Sequence, residues 1–251
     1  MQQELEFITC SGANEFTDIG GMVALSEKYP LIEWGVQVSG KKCSQGTPRW
    51  DWIQELHQYL QEENTLMNLA LHVNADWVEN FIRGRWIIPE MQELLEMTDA
   101  AGEAFFQRVQ LNFKIGREQS PQEKILLPRL REYQEDRRFI YSFNPENSSF
   151  IHYLHRCKTK DFDVLYDSSH GEGIPACEWL APAFSDENIL QGYSGGLSPE
   201  NVAEEVAKIR KVVGDRPFYI DAEGKLKGAD KHLSLKKCKQ YVQNALKAME
   251  A

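Results

Sequence analysis

The sequence lacks the features that mark a secreted, metal-stapled or membrane-spanning protein. Its five cysteines are odd in number and widely spaced, with no Cys-x-x-Cys pair, so neither a disulfide framework nor a zinc module is indicated. They are Cys10, Cys43, Cys157, Cys177 and Cys238. No apolar run reaches membrane-spanning length, and the polar, acidic N-terminus does not resemble a secretory signal. We therefore expect a cytoplasmic protein that is neither secreted nor membrane-embedded.

The sequence also lacks an excess of positive charge. Its formal net charge is −10, whereas nucleic acids and anionic membrane surfaces are bound through an excess of Lys and Arg. Neither is therefore expected as a partner. An anionic small molecule remains possible, because the field at a helix end does not follow the net charge.

Eight short apolar segments alternate with segments of helical periodicity along the 251 residues. This alternation predicts a parallel α/β fold, and the count of eight favours a (β/α)8 TIM barrel, a parallel eight-stranded barrel with outer helices. A doubly wound sheet is the weaker alternative, because no Gly-x-Gly-x-x-Gly follows the first strand. The predicted strands are Phe7–Cys10, Leu31–Val38, Asn68–Val73, Arg108–Phe113, Arg138–Phe143, Phe162–Tyr166, Ile189–Gly192 and Pro217–Ile220.

We expect one domain over residues 1–251, the usual size of such a barrel. Glu and Leu or Met alternate through Trp86–Phe106, which predicts a long helical insertion before the fourth strand.

The segment after the seventh strand has the pattern of an anion-binding turn. Gly195 and Gly196 permit positive φ and close approach of a ligand to the backbone, and Ser198 with Pro199 predicts the start of a helix. A bare Gly-Gly pair can equally be a tight turn. In a barrel, however, the loops after strands seven and eight commonly bind phosphate, and Gly224 lies in the second of these loops.

Two titratable residues at predicted strand ends are candidates for acid/base chemistry. Cys10 ends the first strand and Asp167 follows the sixth, so both are expected at the catalytic face of a barrel. The alternatives are that Cys10 is a packing residue and that Asp167 caps its loop. No His-x-His or His-Glu-x-x-His spacing is present, and we predict no metal.

Four segments, in order, resemble phosphoribosylanthranilate isomerase, the barrel enzyme of tryptophan biosynthesis. Ser194–Val202 is very close to the family's SGGLNPENV, and Ile8–Cys10 is similar to its KICG. Val164–Asp167, followed by a Gly-rich loop and Glu-Trp, is similar to the family's LLD and GGTGKTFDW region. Val109–Asn112 resembles VQLHG, with Asn in place of His.

The resemblance implies an Amadori rearrangement of a phosphorylated ribosylamine, an aldose–ketose isomerisation that needs no cofactor. It implies Asp167 as the general acid and Cys10 as the general base, facing one another across a cavity. It also implies that Gly195, Gly196 and Gly224 bind the substrate phosphate.

The sequence departs from the family's pattern in its substrate-binding residues. The family's arginine after strand two has no match; Lys41 and Lys42 lie nearest, and we assign substrate binding to Lys42 and to Asn112. The serine-rich loop after strand eight is Asp-Ala-Glu-Gly here. Two alternatives therefore stay open: a different sugar-phosphate enzyme on the same barrel, and a catalytically silent barrel that binds a phosphorylated ligand. The sequence also leaves open whether the protein is a monomer or a homodimer.

Overall fold

The structure is a computed structural model that describes residues 5–83, 87–113, 123–133, 136–157, 162–167 and 178–250, without the side chains of residues 123–125. It contains a closed barrel of eight strands in chain order, which confirms the predicted (β/α)8 fold. The described pairings are parallel, and β8 pairs with β1 to close the barrel.

The strands are β1 (Leu5–Ala13), β2 (Ile32–Val38), β3 (Asn68–Val73), β4 (Arg108–Leu111), β5 (Arg138–Ser142), β6 (Phe162–Asp167), β7 (Gln191–Ser194) and β8 (Phe218–Ala222). The helices are α1 (Ile19–Lys28), α2 (Pro48–Glu62), α3 (Ala75–Ile82), α4 (Pro89–Glu96), α5 (Glu123–Tyr133), α6 (Ser148–Arg156), α7 (Val202–Val213) and α8 (Leu235–Glu250). A short 3-10 helix, Gly224–Leu226, follows β8. No helix within these described ranges is both long and apolar enough to cross a bilayer.

The chain divides into two compact units, Met1–Gly35 with Val164–Ala251, and Val36–Asp163. In the first unit, the ring of Tyr219 packs over the backbone of Gly192. A Cβ built on Gly192 would lie 2.0 Å from Tyr219 Cζ, so only glycine fits at this position of β7. The Tyr219 hydroxyl donates a hydrogen bond of 3.3 Å to the carbonyl of Val164.

In the second unit, a buried ion pair links three strands. Asp163 on β6 is fully buried and accepts hydrogen bonds from Arg108 Nε at 3.2 Å and Arg138 Nη2 at 2.6 Å. Two guanidinium groups therefore share one buried carboxylate; Arg108 is buried with it, and the Arg138 side chain is partly exposed.

β1 and β8 both extend beyond their predicted C-terminal ends. β1 continues three residues beyond Cys10, to Ala13, and β8 includes Asp221 and Ala222 instead of ending at Ile220. The first polar or Gly-containing turn signal predicts an earlier end for each of these strands. Polar side chains inside the barrel allow both strands to continue.

The predicted helix over Trp86–Phe106 is shorter in the structure. α4 ends at Glu96, and an antiparallel bridge then joins Thr98 to Ala104. Between them the Asp99 carboxylate accepts hydrogen bonds from the amides of Ala101 and Glu103, which forms a turn in place of further helix.

Candidate functional site

The side chains of β1 alternate between the inside of the barrel and the helical layer. The Thr9 hydroxyl donates to Glu33 Oε1 on β2 at 2.7 Å, and the Ser11 hydroxyl donates to Asp221 Oδ1 on β8 at 2.5 Å. Successive residues of a strand point to opposite faces. Thr9 and Ser11 therefore share one face of β1, and Cys10 lies on the other.

Cys10 faces helix α8. Its thiol is fully buried and hydrogen-bonded to Cys238, with Tyr241 of the same helix nearby. Burial and the contact with Cys238 raise the pKa of the Cys10 thiol well above its ordinary value. The expectation that Cys10 ends β1 and faces Asp167 across a cavity is therefore wrong, because β1 continues past Cys10 and the alternation turns the thiol outward.

Asp221 occupies the inner face of the barrel, where the sequence interpretation expected the thiol. It pairs in register with Thr9, so the two side chains project from the same face of the sheet. The pKa of Asp221 is raised to about 7, and burial is the largest cause. The hydrogen bond from Ser11 lowers the pKa, whereas the nearby charge of Glu223 raises it.

Two more carboxylates surround Asp221. The charges of Glu33, on the neighbouring β2 segment, and of Asp167, at the C-terminal end of β6, both raise the pKa of Asp221. A carboxyl group with this environment can exchange a proton near neutral pH.

Asp167 has the position that the sequence predicts, at the C-terminal end of β6. It pairs in register with Ser194 of β7, and Ser194 pairs with Asp221 of β8. Asp167 and Asp221 thus project from the same face of the sheet at the same register level. They are two strands apart, which corresponds to a backbone separation of about 10 Å. The Ser194 side chain projects from the same face between them. Residues 168–177, which include the loop that follows, lie outside the described part of the chain.

The Gly-Gly turn follows β7 directly. Gly195 has φ 113° and Gly196 has φ 64°, so both lie in the region that favours glycine, as predicted. β7 itself covers Gln191–Ser194 and not Ile189–Gly192, which brings the turn to the strand end without a connecting loop.

Ser198 and Asn201 fix the backbone after the glycines. The Ser198 hydroxyl accepts hydrogen bonds from the amides of Glu200 and Asn201, and the Asn201 side chain bonds the amide of Ser198 and the carbonyl of Gly196. Ser198 thus caps the turn, and α7 begins at Val202, three residues beyond the predicted Pro199. The phosphate-binding role of the two glycines stays a prediction.

The loop after β8 brings a charge pair beside the acidic residues. Glu223 Oε1 accepts a hydrogen bond of 2.7 Å from Lys227 Nζ, and a Cβ built on Gly12 of β1 would contact Glu223 Cγ at 3.4 Å. A Cβ built on Gly224 would meet no atom within 4 Å, so open space lies beside this predicted phosphate-binding residue.

Lys42 and Asn112 belong to the second compact unit. Lys42 is exposed in the turn after β2, where its amide bonds the carbonyl of Ser39. The Asn112 side chain follows β4, accepts a hydrogen bond from Gln110 and donates one of 3.0 Å to Asn74 Oδ1. These three amide side chains form a polar network at the ends of β3 and β4.

The fold has clear structural relatives. The structure is similar to TrpF from Jonesia denitrificans at 14% identity, with a TM-score of 0.54 over 96% of this chain and 97% of that chain. It is similar to phosphoribosyl anthranilate isomerase from Thermus thermophilus at 14% identity, with a TM-score of 0.52 over 96% and 98% of the two chains. The glycoside hydrolase family 30 xylanase Xyn30A from Clostridium acetobutylicum has a TM-score of 0.54 at 11% identity, over 98% of this chain and 72% of that chain.

These likenesses show the fold alone. They include isomerases and a glycoside hydrolase at nearly the same TM-score, so overall shape does not select one chemistry. No protein-family model matches the sequence, and no curated protein matches it.

Asp221, Ser11 and Glu33 form one cluster that the sequence alone does not predict. The signal in the sequence is that polar residues occur at every second position of an otherwise apolar strand, as in Thr9-Cys10-Ser11 and Tyr219-Ile220-Asp221. In the described ranges, no three His, Cys, Asp or Glu side chains are arranged to hold a metal ion.

Proposed function

We propose that the protein is an intramolecular aldose–ketose isomerase that acts on a phosphorylated ribosylamine without a cofactor. The observation that carries the proposal is the arrangement of Asp167 and Asp221 at one level of the barrel, with the Gly195–Gly196 turn on the strand between them. It offers two proton-exchanging groups and an anion-binding backbone at the strand ends where barrel enzymes carry out their chemistry.

Asp167 is the general acid of this proposal. In its neutral form the carboxyl group donates its proton to the ring oxygen of the furanose, and the bond between that oxygen and C1 breaks. The nitrogen lone pair forms the C1=N bond, which gives an open-chain iminium ion. Loss of the C2 proton then leads to an enolamine and, after proton transfer, to the ketone.

The phosphate of the substrate binds at the turn after β7. The amides of Gly195 and Gly196 approach the anion without a Cβ, and the N-terminus of α7 adds a favourable field. Glu223 in the neighbouring loop would repel a phosphate, but its ion pair with Lys227 offsets that charge.

Turnover of phosphoribosylanthranilate tests the proposal, measured as the loss of its fluorescence. We expect the wild-type protein to be active and Asp167→Asn to lower kcat by about 10²-fold or more, the usual contribution of a general acid. Asp215→Asn, an exposed aspartate in the loop after α7, is the matched control and should keep wild-type activity. An inactive wild-type protein, or an Asp167→Asn variant with full activity, contradicts the proposal.

A second candidate is an enzyme that acts on a different sugar phosphate. Two observations favour this second candidate. Cys10 points outward, so it does not correspond to the catalytic base of the resembled family. Lys42 is exposed, so it does not replace that family's carboxylate-binding arginine. Assays with a panel of aldose phosphates would identify it. Phosphate binding without turnover of any of them would indicate a silent ligand-binding barrel.

A further inference from the structure

We propose that Asp221 is the general base that removes the C2 proton, the role that the resemblance implies for Cys10. This inference rests on the proposed isomerase function and adds the residue that completes its acid/base pair.

The position of Asp221 is the first argument. β8 is hydrogen-bonded to β1, and Asp221 and Ala222 pair with Thr9 and Cys10 respectively. Asp221 therefore lies one register position from Cys10 but on the opposite face of the sheet. The inner face bears the carboxyl group and the outer face bears the thiol, so the carboxyl group is the one that can reach a ligand inside the barrel.

The orientation of the carboxyl group is the second argument. The Ser11 hydroxyl donates its hydrogen bond to Oδ1, and Ser11 is 2% exposed. In the described part of the chain, this is the one side-chain hydrogen bond that Asp221 accepts. Oδ2 is thus left to accept a proton, while the bond from Ser11 holds the plane of the carboxyl group.

The surroundings of Asp221 suit proton transfer near neutral pH. Among the described residues, the titratable and charged groups around it are Glu33 of β2, Asp167 of β6 and Glu223 with its partner Lys227, with Cys10 of β1 and Tyr241 of α8 on the outer side of the sheet. Burial and the neighbouring carboxylates raise the pKa of Asp221 to about 7. A base with this pKa is both partly ionised at neutral pH and strong enough to abstract a proton.

The step balances without any further reactant. Oδ2 of the Asp221 carboxylate takes the C2 proton of the iminium ion, the C2–H electron pair forms the C1=C2 bond, and the C1=N pair returns to nitrogen. Asp221 then delivers its proton to C1, while the C2 hydroxyl gives its proton to the Asp167 carboxylate. The product is the aminoketose, and both carboxyl groups return to their initial protonation states.

The test compares Asp221→Asn with Cys10→Ala in the phosphoribosylanthranilate assay, with thermal unfolding to check that each variant folds. We expect Asp221→Asn to lower kcat by about 10²-fold or more and Cys10→Ala to stay within a few-fold of wild type. Asp221→Glu should recover part of the activity.

The pH profile of kcat/KM provides a second readout. For the wild type the rising limb should have its midpoint near pH 7, where the Asp221 carboxylate forms. The Ser11 hydrogen bond lowers the pKa of Asp221, so Ser11→Ala should move this rise to higher pH. This variant also tests the proposal if Asp221→Asn does not fold.

The outcomes separate the two proposals. A wild-type protein that does not turn over phosphoribosylanthranilate overturns the isomerase function and Asp221 with it. If the wild type is active but Asp221→Asn keeps the wild-type kcat, the role of Asp221 alone is overturned. The same holds if Cys10→Ala loses activity and Asp221→Asn does not. An unchanged pH profile in Ser11→Ala also counts against Asp221.

Discussion

At the scale of single residues, the face of a strand decides whether a titratable side chain points into the barrel or packs against a helix. Only a side chain that points into the barrel can exchange a proton with a ligand there. Cys10 and Asp221 lie close to one another on paired strands, yet the thiol packs on α8 and the carboxyl group faces the barrel interior. Burial raises the pKa of both groups, because removal from water disfavours each charged form. Only Asp221 retains a pKa near neutral, about 7, at which ionisation is accessible.

The raised pKa of Asp221 predicts a pH-dependent change in stability. The folded state binds the Asp221 proton more tightly than the unfolded state, whose pKa is near 3.8. Wild-type stability is therefore greatest, for this group, below pH 3.8 and decreases as the pH rises toward about 7. The loss is at most about 4 kcal/mol, since each pKa unit corresponds to about 1.4 kcal/mol.

Asp221→Asn removes this ionisation while its side-chain oxygen can still accept the Ser11 hydrogen bond. We expect the Tm of Asp221→Asn relative to wild type to be higher at pH 8 than at pH 5, measured by thermal unfolding at both values. Exposed Asp215→Asn is the control and should show no such pH-dependent difference. An equal Tm difference at the two pH values for Asp221→Asn would show that Asp221 does not ionise in this range.

At the scale of elements, the ends of the strands determine the site. β7 stops at Ser194, and two glycines with positive φ turn the chain before Ser198 and Asn201 fix the approach to α7. A side chain at Gly195 or Gly196 would strain the backbone, because both residues have positive φ. If the turn binds phosphate as proposed, its local conformation is part of the binding site.

Gly196→Ala is expected to weaken the binding of inorganic phosphate by about tenfold or more. Gly214, at the C-terminal end of α7, also has positive φ, 65° against 64° for Gly196, so Gly214→Ala strains the backbone away from the turn. Titration calorimetry with phosphate should show weaker binding in Gly196→Ala and wild-type binding in Gly214→Ala. Equal phosphate affinity in the two variants would exclude the turn as the anion site.

At the scale of the whole molecule, the barrel strands carry buried polar groups as well as apolar ones. The Asp163 carboxylate is 0% exposed and bonds both Arg108 and Arg138 in the second unit. A buried charged group destabilises the fold unless it is paired with a group of opposite charge. Each buried charge therefore requires a partner at a matching position on a neighbouring strand.

Asp163→Asn should destabilise the protein by about 3 to 5 kcal/mol, because it leaves two guanidinium charges without their shared carboxylate. Denaturant unfolding measures this loss. Glu204→Gln, which removes an exposed ion pair with Lys208, is the matched control and should leave the unfolding midpoint unchanged. A similar midpoint for both variants would mean that the buried ion pair contributes no more than a surface one.

The sequence by itself determined the barrel, the eight strands and the turn after β7. Apolar periodicity and the Gly-Gly-Leu-Ser-Pro segment are local signals. The strands, helices and turn that they predict follow from local backbone preferences and do not depend on the rest of the chain. Asp167 was also accessible to sequence reasoning, because it lies at the C-terminal end of a clearly apolar strand.

Only the tertiary structure decided which face of β1 bears Cys10 and that Asp221 lies with Ser11, Glu33 and Asp167. The side-chain period of a strand is two, so an error in where β1 ends leaves the direction of each side chain undetermined. That direction is fixed by the pairing of β1 with β8 and by the packing of α8 on its outer face, and both contacts join residues more than 200 positions apart.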